Sequence, residues 1–110
     1  MSRKESDIQR AILTYLHAKG IMAHQQKGLG IKGRAGQPWT RGGTNGISDI
    51  AGIMPGGFAL KIEVKTAKGV TSNLQGEYIE AARKMGACAF VARSVDDVIE
   101  GIKEWEGRNG

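Results

Sequence analysis

The sequence predicts an α/β fold in which a mixed β-sheet is flanked by helices. Helical periodicity occupies both ends and one internal segment of the 110-residue chain. Four short runs rich in apolar and β-branched residues lie between the helices, and turn residues separate them. In the second half a strand, a helix and a strand follow one another, the order that produces a right-handed parallel crossover. The length is that of a single domain, residues 1–110.

The first predicted helix covers residues 3–19, where apolar residues recur at helical spacing between Ile8 and Leu16 and Gly20 marks the end. Ser2 followed by Glu5 fits a capping box, which gives Glu5 a structural role. The next residues, "IMAHQQK", predict a short strand.

Residues 28–46 contain seven glycines and no regular period, which predicts a Gly-rich loop that is functional or partly disordered. The net charge is +5, and no Asp or Glu occurs from Ile8 to Ser48. This asymmetry favours a polyanionic partner, and nucleic acid is the obvious one. Basic groups attract phosphate and an aromatic ring stacks on a base. The predicted nucleic-acid-binding residues are Lys27, Lys32, Arg34, Trp39 and Arg41. The alternative is a solvated basic tether whose tryptophan packs on the domain.

Two strands, "ISDIAGIM" and "FALKIEVKT", flank a tight turn at residues 55–57 and predict an antiparallel hairpin. Ser72 can cap a helix over residues 73–85, and Gly86 follows its end. "ACAFVAR" is typical of a buried strand. Ser94 and Asp97 open the last helix, residues 95–107, as a capping box. The predicted order is therefore α-β-β-β-α-β-α.

Acidic side chains in the hairpin indicate a metal site. Alternation places Glu63 and Lys65 on one face of their strand, and Asp49 lies in the neighbouring strand. Two converging carboxylates repel each other, and a cation commonly neutralises them. One cysteine and two histidines cannot assemble a zinc finger, so oxygen ligands point to Mg²⁺ or Mn²⁺. The alternative for Glu-x-Lys alone is a solvated strand face, but the added Asp49 favours the site.

Other features exclude several classes of protein. No run approaches the ~18 apolar residues of a membrane span, and the N-terminus is unlike a signal peptide, so we expect a cytoplasmic protein. The single cysteine, Cys88, excludes an intramolecular disulfide and is predicted to be a small buried residue. Met54 and Met85 are predicted to fill the core.

Three segments, "GISDIAG", "IEVK" and "SNLQGEYIEAARKMGACAFVARSVDDV", together resemble the VRR-NUC nuclease domain, a branch of the PD-(D/E)xK phosphodiesterase superfamily. The resemblance extends from Glu5 to about Ile102 and implies a restriction-endonuclease-like α-β-β-β-α-β core with a C-terminal helix. The short chain is similar to the stand-alone viral or bacterial type, which implies a bacterial or phage-infected cytoplasm. Ser48 stands where the superfamily motif has proline.

The resemblance implies a role for each matching residue. Asp49 and Glu63 match the acidic metal ligands, and the backbone carbonyl of Val64 is a usual further ligand in such sites. Lys65 matches the catalytic lysine, and Gln75 matches a helix glutamine beside the site.

Glu5 matches an N-terminal helix acid that completes the metal shell in many relatives, as an alternative to its capping role. The resemblance also implies Mg²⁺- or Mn²⁺-dependent cleavage of DNA, similar to Holliday-junction resolvases acting on branched DNA. Because a resolvase cuts two strands symmetrically, it implies a homodimer with two sites. Two alternatives remain, a non-catalytic basic nucleic-acid-binding module and a nuclease of a restriction or defence system.

Overall fold

The structure, a computed structural model, describes residues 4–26, 49–70 and 73–109. The elements follow the order α1 (Glu5–Ala18), β1 (Met22–Gln25), β2 (Ile50–Ile53), β3 (Ala59–Val64), α2 (Asn73–Lys84), β4 (Cys88–Ala92) and α3 (Val95–Asn109). This confirms the predicted order and the α/β class. The predicted basic loop lies outside the described residues, together with Lys27, Lys32, Arg34, Trp39 and Arg41. Within the three described ranges, no helix has the length and apolar character to cross a membrane.

Four strands form one mixed sheet in the order β1-β2-β3-β4. β2 runs antiparallel to both β1 and β3, and β4 runs parallel to β3. The predicted hairpin and the predicted parallel pair, connected by α2, are therefore both confirmed. Because β3 has a hydrogen-bonded neighbour on each side, the positions from which its side chains project on the two faces of the sheet are fixed.

The main core lies between one face of the sheet and helices α1 and α3. Leu60, Ile62 and Val64 of β3 are fully buried there, as the alternation in the sequence predicts. The residues packed around them include Ile12, Leu16, Cys88, Phe90, Val98 and Trp105. Trp105 also donates a hydrogen bond from Nε1 to the Gly86 carbonyl (3.1 Å). This face thus holds the greater part of the buried apolar surface in the described residues.

Helix α2 covers the other face with far fewer apolar contacts. Its one buried residue is Ile79, which packs with Ala87 and Ala89 beside β4. The remaining residues of α2 are partly or fully exposed. The helix therefore rests on a small apolar cluster, and it lies over the face of β3 that carries Glu63.

Glycines end two helices where the sequence predicts them. Gly20 after α1 and Gly86 after α2 have φ values of 77° and 95°, which side chains with a Cβ rarely adopt. The amides that follow them bond back to the carbonyls of Leu16 and Ala82, each at 3.0 Å, as in a Schellman motif.

Helix starts agree with the sequence in one case and differ in another. Ser94 accepts a hydrogen bond at Oγ from the Asp97 amide (3.2 Å), so the predicted cap of α3 is confirmed. The capping box predicted from Ser2 and Glu5 is wrong. Helix α1 begins at Glu5 after Lys4, which makes no side-chain cap, so Glu5 occupies the first helical position, whereas the capping box needs it at the third.

Two of the three predicted sulfur-containing core residues are buried. Met54 is 2% exposed, and burial raises the pKa of the fully buried Cys88 thiol to about 12, so this thiol stays neutral. Met85 is 90% exposed, and its predicted place in the core is wrong. It lies in the turn immediately before Gly86, where the chain leaves the helix on the solvent side.

Candidate functional site

Two carboxylates meet where β2 begins and β3 ends. Asp49 was expected inside the strand but lies one residue before β2. Because Ile50 pairs with Ile62, continuing the register by one residue places Asp49 opposite Glu63, with both side chains on one face. Asp49 Oδ2 accepts a hydrogen bond from the Val64 amide (2.9 Å). The side chain thereby meets the main chain of β3 just beyond Ile50, the first residue of β2.

Glu63 is buried beneath α2, at 1% exposure. Its Oε2 accepts a hydrogen bond from Gln75 Nε2 (2.6 Å), which projects from the first turn of α2. Lys65 Nζ lies 3.7 Å from the same oxygen, and its side chain is 16% exposed. The structure therefore brings together four of the predicted site residues, namely Asp49, Glu63, Lys65 and Gln75.

The electrostatics of Glu63 follow from this crowding. The pKa of Glu63 is raised from 4.5 to about 8, mainly by burial and then by the charge of Asp49 and a side-chain hydrogen bond to Asp49, while Lys65 acts in the opposite direction. Glu5 makes the smallest contribution, also upward. At neutral pH Glu63 therefore keeps its proton, and a divalent cation between the two acids is the natural replacement for it.

The donor atoms fit Mg²⁺ or Mn²⁺. In an extended strand the N–H and C=O of one residue point to the same side. The Val64 carbonyl therefore points toward the side on which its amide meets Asp49. Two carboxylates and a carbonyl form an oxygen donor set of the kind that these hard cations prefer.

Glu5 lies outside this donor set. No three His, Cys, Asp or Glu side chains within residues 4–26, 49–70 and 73–109 come together as a metal cluster. Glu5 is exposed at the start of α1, and its charge reaches Glu63 only weakly. Its role as a ligand remains a prediction.

Glutamines for which the sequence predicted no role hold the main chain of Asp49. The Asp49 carbonyl accepts hydrogen bonds from the main-chain amide of Gln26 (2.7 Å) and from the side-chain Nε2 of Gln9 (3.3 Å). Gln25 Nε2 donates to Gln9 Oε1 (2.8 Å). The available signal was a polar residue, Gln9, one turn after Glu5 on the buried side of α1.

Arg93 braces the segment that follows the lysine. Its Nη1 donates hydrogen bonds to the carbonyls of Thr66 (2.5 Å) and Gly69 (2.6 Å). A Cβ on Gly69 would lie 3.4 Å from the Lys65 side chain, so this turn packs closely on the lysine stem. The sequence carries no local signal for these contacts because the partners are far apart along the chain.

Comparison with known proteins supports the fold. A solved structure described as "VRR_NUC domain" superposes with a TM-score of 0.65 at 26% sequence identity, covering 90% of this chain and 94% of that chain. No family model and no curated protein matches the sequence. The chain has a VRR-NUC domain fold, as the sequence resemblance predicted.

Proposed function

We propose that this chain, with its VRR-NUC fold, is a metal-dependent, structure-selective DNA endonuclease that hydrolyses phosphodiester bonds in branched DNA such as a Holliday junction. The observation that carries the proposal is the convergence of Asp49, Glu63 and Lys65 at one end of β3. The likeness to a structure described as a VRR_NUC domain supports the nuclease class.

In this proposal Asp49, Glu63 and the Val64 carbonyl hold Mg²⁺ or Mn²⁺, with Glu5 as a further ligand. Such an ion polarises a phosphoryl oxygen and activates water for attack on phosphorus. The Val64 amide fixes the orientation of Asp49 through Oδ2, and Gln75 fixes that of Glu63 through Oε2. Both carboxylates are thus oriented before any ligand arrives.

Lys65 supplies the positive charge beside the scissile phosphate. Its Nζ lies 3.7 Å from Glu63 Oε2 and it keeps 16% side-chain exposure, so a phosphate can approach it. An ammonium there stabilises the negative charge that develops on the phosphoryl oxygens. Gln75 is the residue whose loss would loosen Glu63 while leaving the number of charges unchanged.

The positive charge of the chain supports a polyanionic substrate. The net charge is +5, and the acid-free segment from Ile8 to Ser48 supplies the predicted DNA contacts at Lys27, Lys32, Arg34, Trp39 and Arg41. A homodimer with two sites is the arrangement that would cut a four-way junction symmetrically.

The test is cleavage of a four-way junction and of linear duplex DNA by purified protein in Mn²⁺, Mg²⁺ or EDTA. We expect metal-dependent cleavage that prefers the junction and falls by more than ~10²-fold in Lys65→Met, because a group that stabilises transition-state charge is lost. Asp49→Asn is expected to abolish cleavage. Lys103→Met is the matched control, an exposed lysine of α3 on the other side of the sheet.

Equal cleavage by wild type, Asp49→Asn and Lys65→Met would contradict the proposal, as would the absence of cleavage of any DNA by wild type in Mn²⁺. Tight, salt-sensitive DNA binding without metal or cleavage would instead identify a non-catalytic binding module.

A further inference from the structure

The carbonyl of Asp49 receives two hydrogen bonds, and one of them comes from a buried side chain of another element. Gln26 donates its main-chain amide at 2.7 Å, and Gln9 of α1 donates Nε2 at 3.3 Å. Gln9 is 9% exposed, one of the two buried polar residues of the described chain, together with Glu63. Burying an amide is unfavourable unless its donors and acceptors are satisfied, so a particular set of contacts must account for it.

Those contacts fix which way the Gln9 amide faces. Gln25 of β1 donates Nε2 to Gln9 Oε1 at 2.8 Å. Since Oε1 is occupied as an acceptor, the donor end of the same amide is directed at the Asp49 carbonyl. The chain Gln25 to Gln9 to Asp49 thus connects the edge strand and α1 to the residue that precedes β2.

Asp49 needs this support because of its place in the fold. It lies outside the ladder of β2, which begins at Ile50. Its carboxylate is held by the Val64 amide and by a hydrogen bond with Glu63, and its carbonyl by Gln9 and Gln26. If the Gln9 contact is removed, the Gln26 amide still holds this carbonyl, but the peptide that follows Asp49 can tilt about that hydrogen bond and shift the carboxylate.

We infer that Gln9 is a positioning residue, which, with Gln25 behind it, sets the place of the Asp49 carboxylate at the metal site. This inference rests on the proposed function, because it assumes that Asp49 binds the cation. Gln9 also lies one helical turn from Glu5 on the same side of α1, so it fixes α1 relative to the site. Partners that orient metal ligands typically change metal affinity or activity by roughly 10–100-fold when they are removed.

The test measures Mn²⁺ binding by calorimetry on folded full-length protein, with cleavage measured separately. Gln9→Met keeps the length of the side chain and removes its donor and acceptor. We expect the Kd for Mn²⁺ to rise by roughly 10–100-fold, and kcat to fall while KM for DNA stays unchanged. Gln25→Met, which leaves Gln9 in place, is expected to shift the Kd in the same direction by less, and the double variant to bind no more weakly than Gln9→Met alone. If Gln9→Met fails to fold, Gln25→Met provides the test.

Ile12→Val is the matched control for a purely structural role. Ile12 is fully buried on the same helix, and its truncation is expected to lower the urea concentration at the unfolding midpoint while the Kd for Mn²⁺ stays unchanged. Wild-type Mn²⁺ affinity in both Gln9→Met and Gln25→Met, with binding lost in Asp49→Asn, would overturn the inference and leave the proposed function intact. Wild-type affinity in Asp49→Asn would overturn the proposed function and the inference with it.

Discussion

The two faces of β3 differ in what they contribute to the molecule. Toward α1 and α3 the strand presents Leu60, Ile62 and Val64, all fully buried in the main core. Toward α2 it presents Glu63, which is equally inaccessible but ionisable and crowded by a second acid. Burial stabilises the fold on the first face and opposes ionisation on the second. The comparison teaches that one strand can separate stability from chemistry because its side chains alternate.

The largest effect on stability is expected from truncating a buried side chain on the apolar face of β3. Leu60→Ala removes a fully buried side chain that lies away from the site, and we expect the free energy of unfolding to fall by roughly 2–5 kcal/mol. Urea unfolding measures the loss, and cleavage per folded molecule should stay at the wild-type level. Met85→Ala is the control, since this side chain is 90% exposed and should change stability by less than about 0.5 kcal/mol. Equal losses in the two variants would contradict the contribution of the apolar face of β3 to stability.

The second prediction concerns the polar face and pH. The pKa of Glu63 is raised from 4.5 to about 8, so the native state binds a proton that the unfolded state releases between these values. In EDTA the stability that this proton provides is complete below pH about 4.5 and is lost as the pH rises through about 8. One pKa unit corresponds to about 1.4 kcal/mol, so the loss amounts to a few kcal/mol. Urea unfolding across this range measures it.

Glu63→Gln is expected to flatten this pH dependence while abolishing cleavage. Glu77→Gln, an exposed change in the overlying helix α2, should keep the wild-type slope. Mn²⁺ added at pH about 8 should stabilise wild type more than Glu63→Gln, because the cation replaces the proton between the acids. Parallel slopes for wild type and Glu63→Gln would show that Glu63 does not carry the effect.

The smallest effects are expected from alanine substitutions at two glycines, one on each side of the sheet. A Cβ on Gly101 of α3 would lie 2.7 Å from the ring of Phe90. Gly101→Ala should therefore lower the free energy of unfolding by about 1 kcal/mol, despite the better helix propensity of alanine. A Cβ on Gly76 of α2 meets no described atom within 4 Å, so Gly76→Ala should raise the free energy of unfolding by roughly 0.5–1 kcal/mol. Thermal unfolding of both variants measures the difference. Stabilisation by Gly101→Ala would mean that α3 packs more loosely on the sheet than described.

Sequence patterns were sufficient where the cause is local. Alternation in "LKIEVK" assigned the faces of β3, glycines ended α1 and α2, and strand spacing predicted that Asp49 would approach Glu63. The depth at which Glu63 is buried was not predictable in this way, because it depends on α2 folding over that face. The roles of Gln9 and Arg93 were not predictable either, because each side chain donates to a main-chain carbonyl that is distant along the chain. The start of α1 also differed, because Lys4 precedes the helix without a side-chain cap.

The solitary sulfhydryl group beneath α3 can report, through its chemical modification, on local or global unfolding of the domain. Cys88 has no accessible surface, and its high pKa keeps it in the unreactive protonated form. A thiol-modifying reagent can therefore reach it only after β4 separates from the helices packed on it. The rate of modification would follow the population of opened molecules without an engineered label, and every variant discussed above retains this residue.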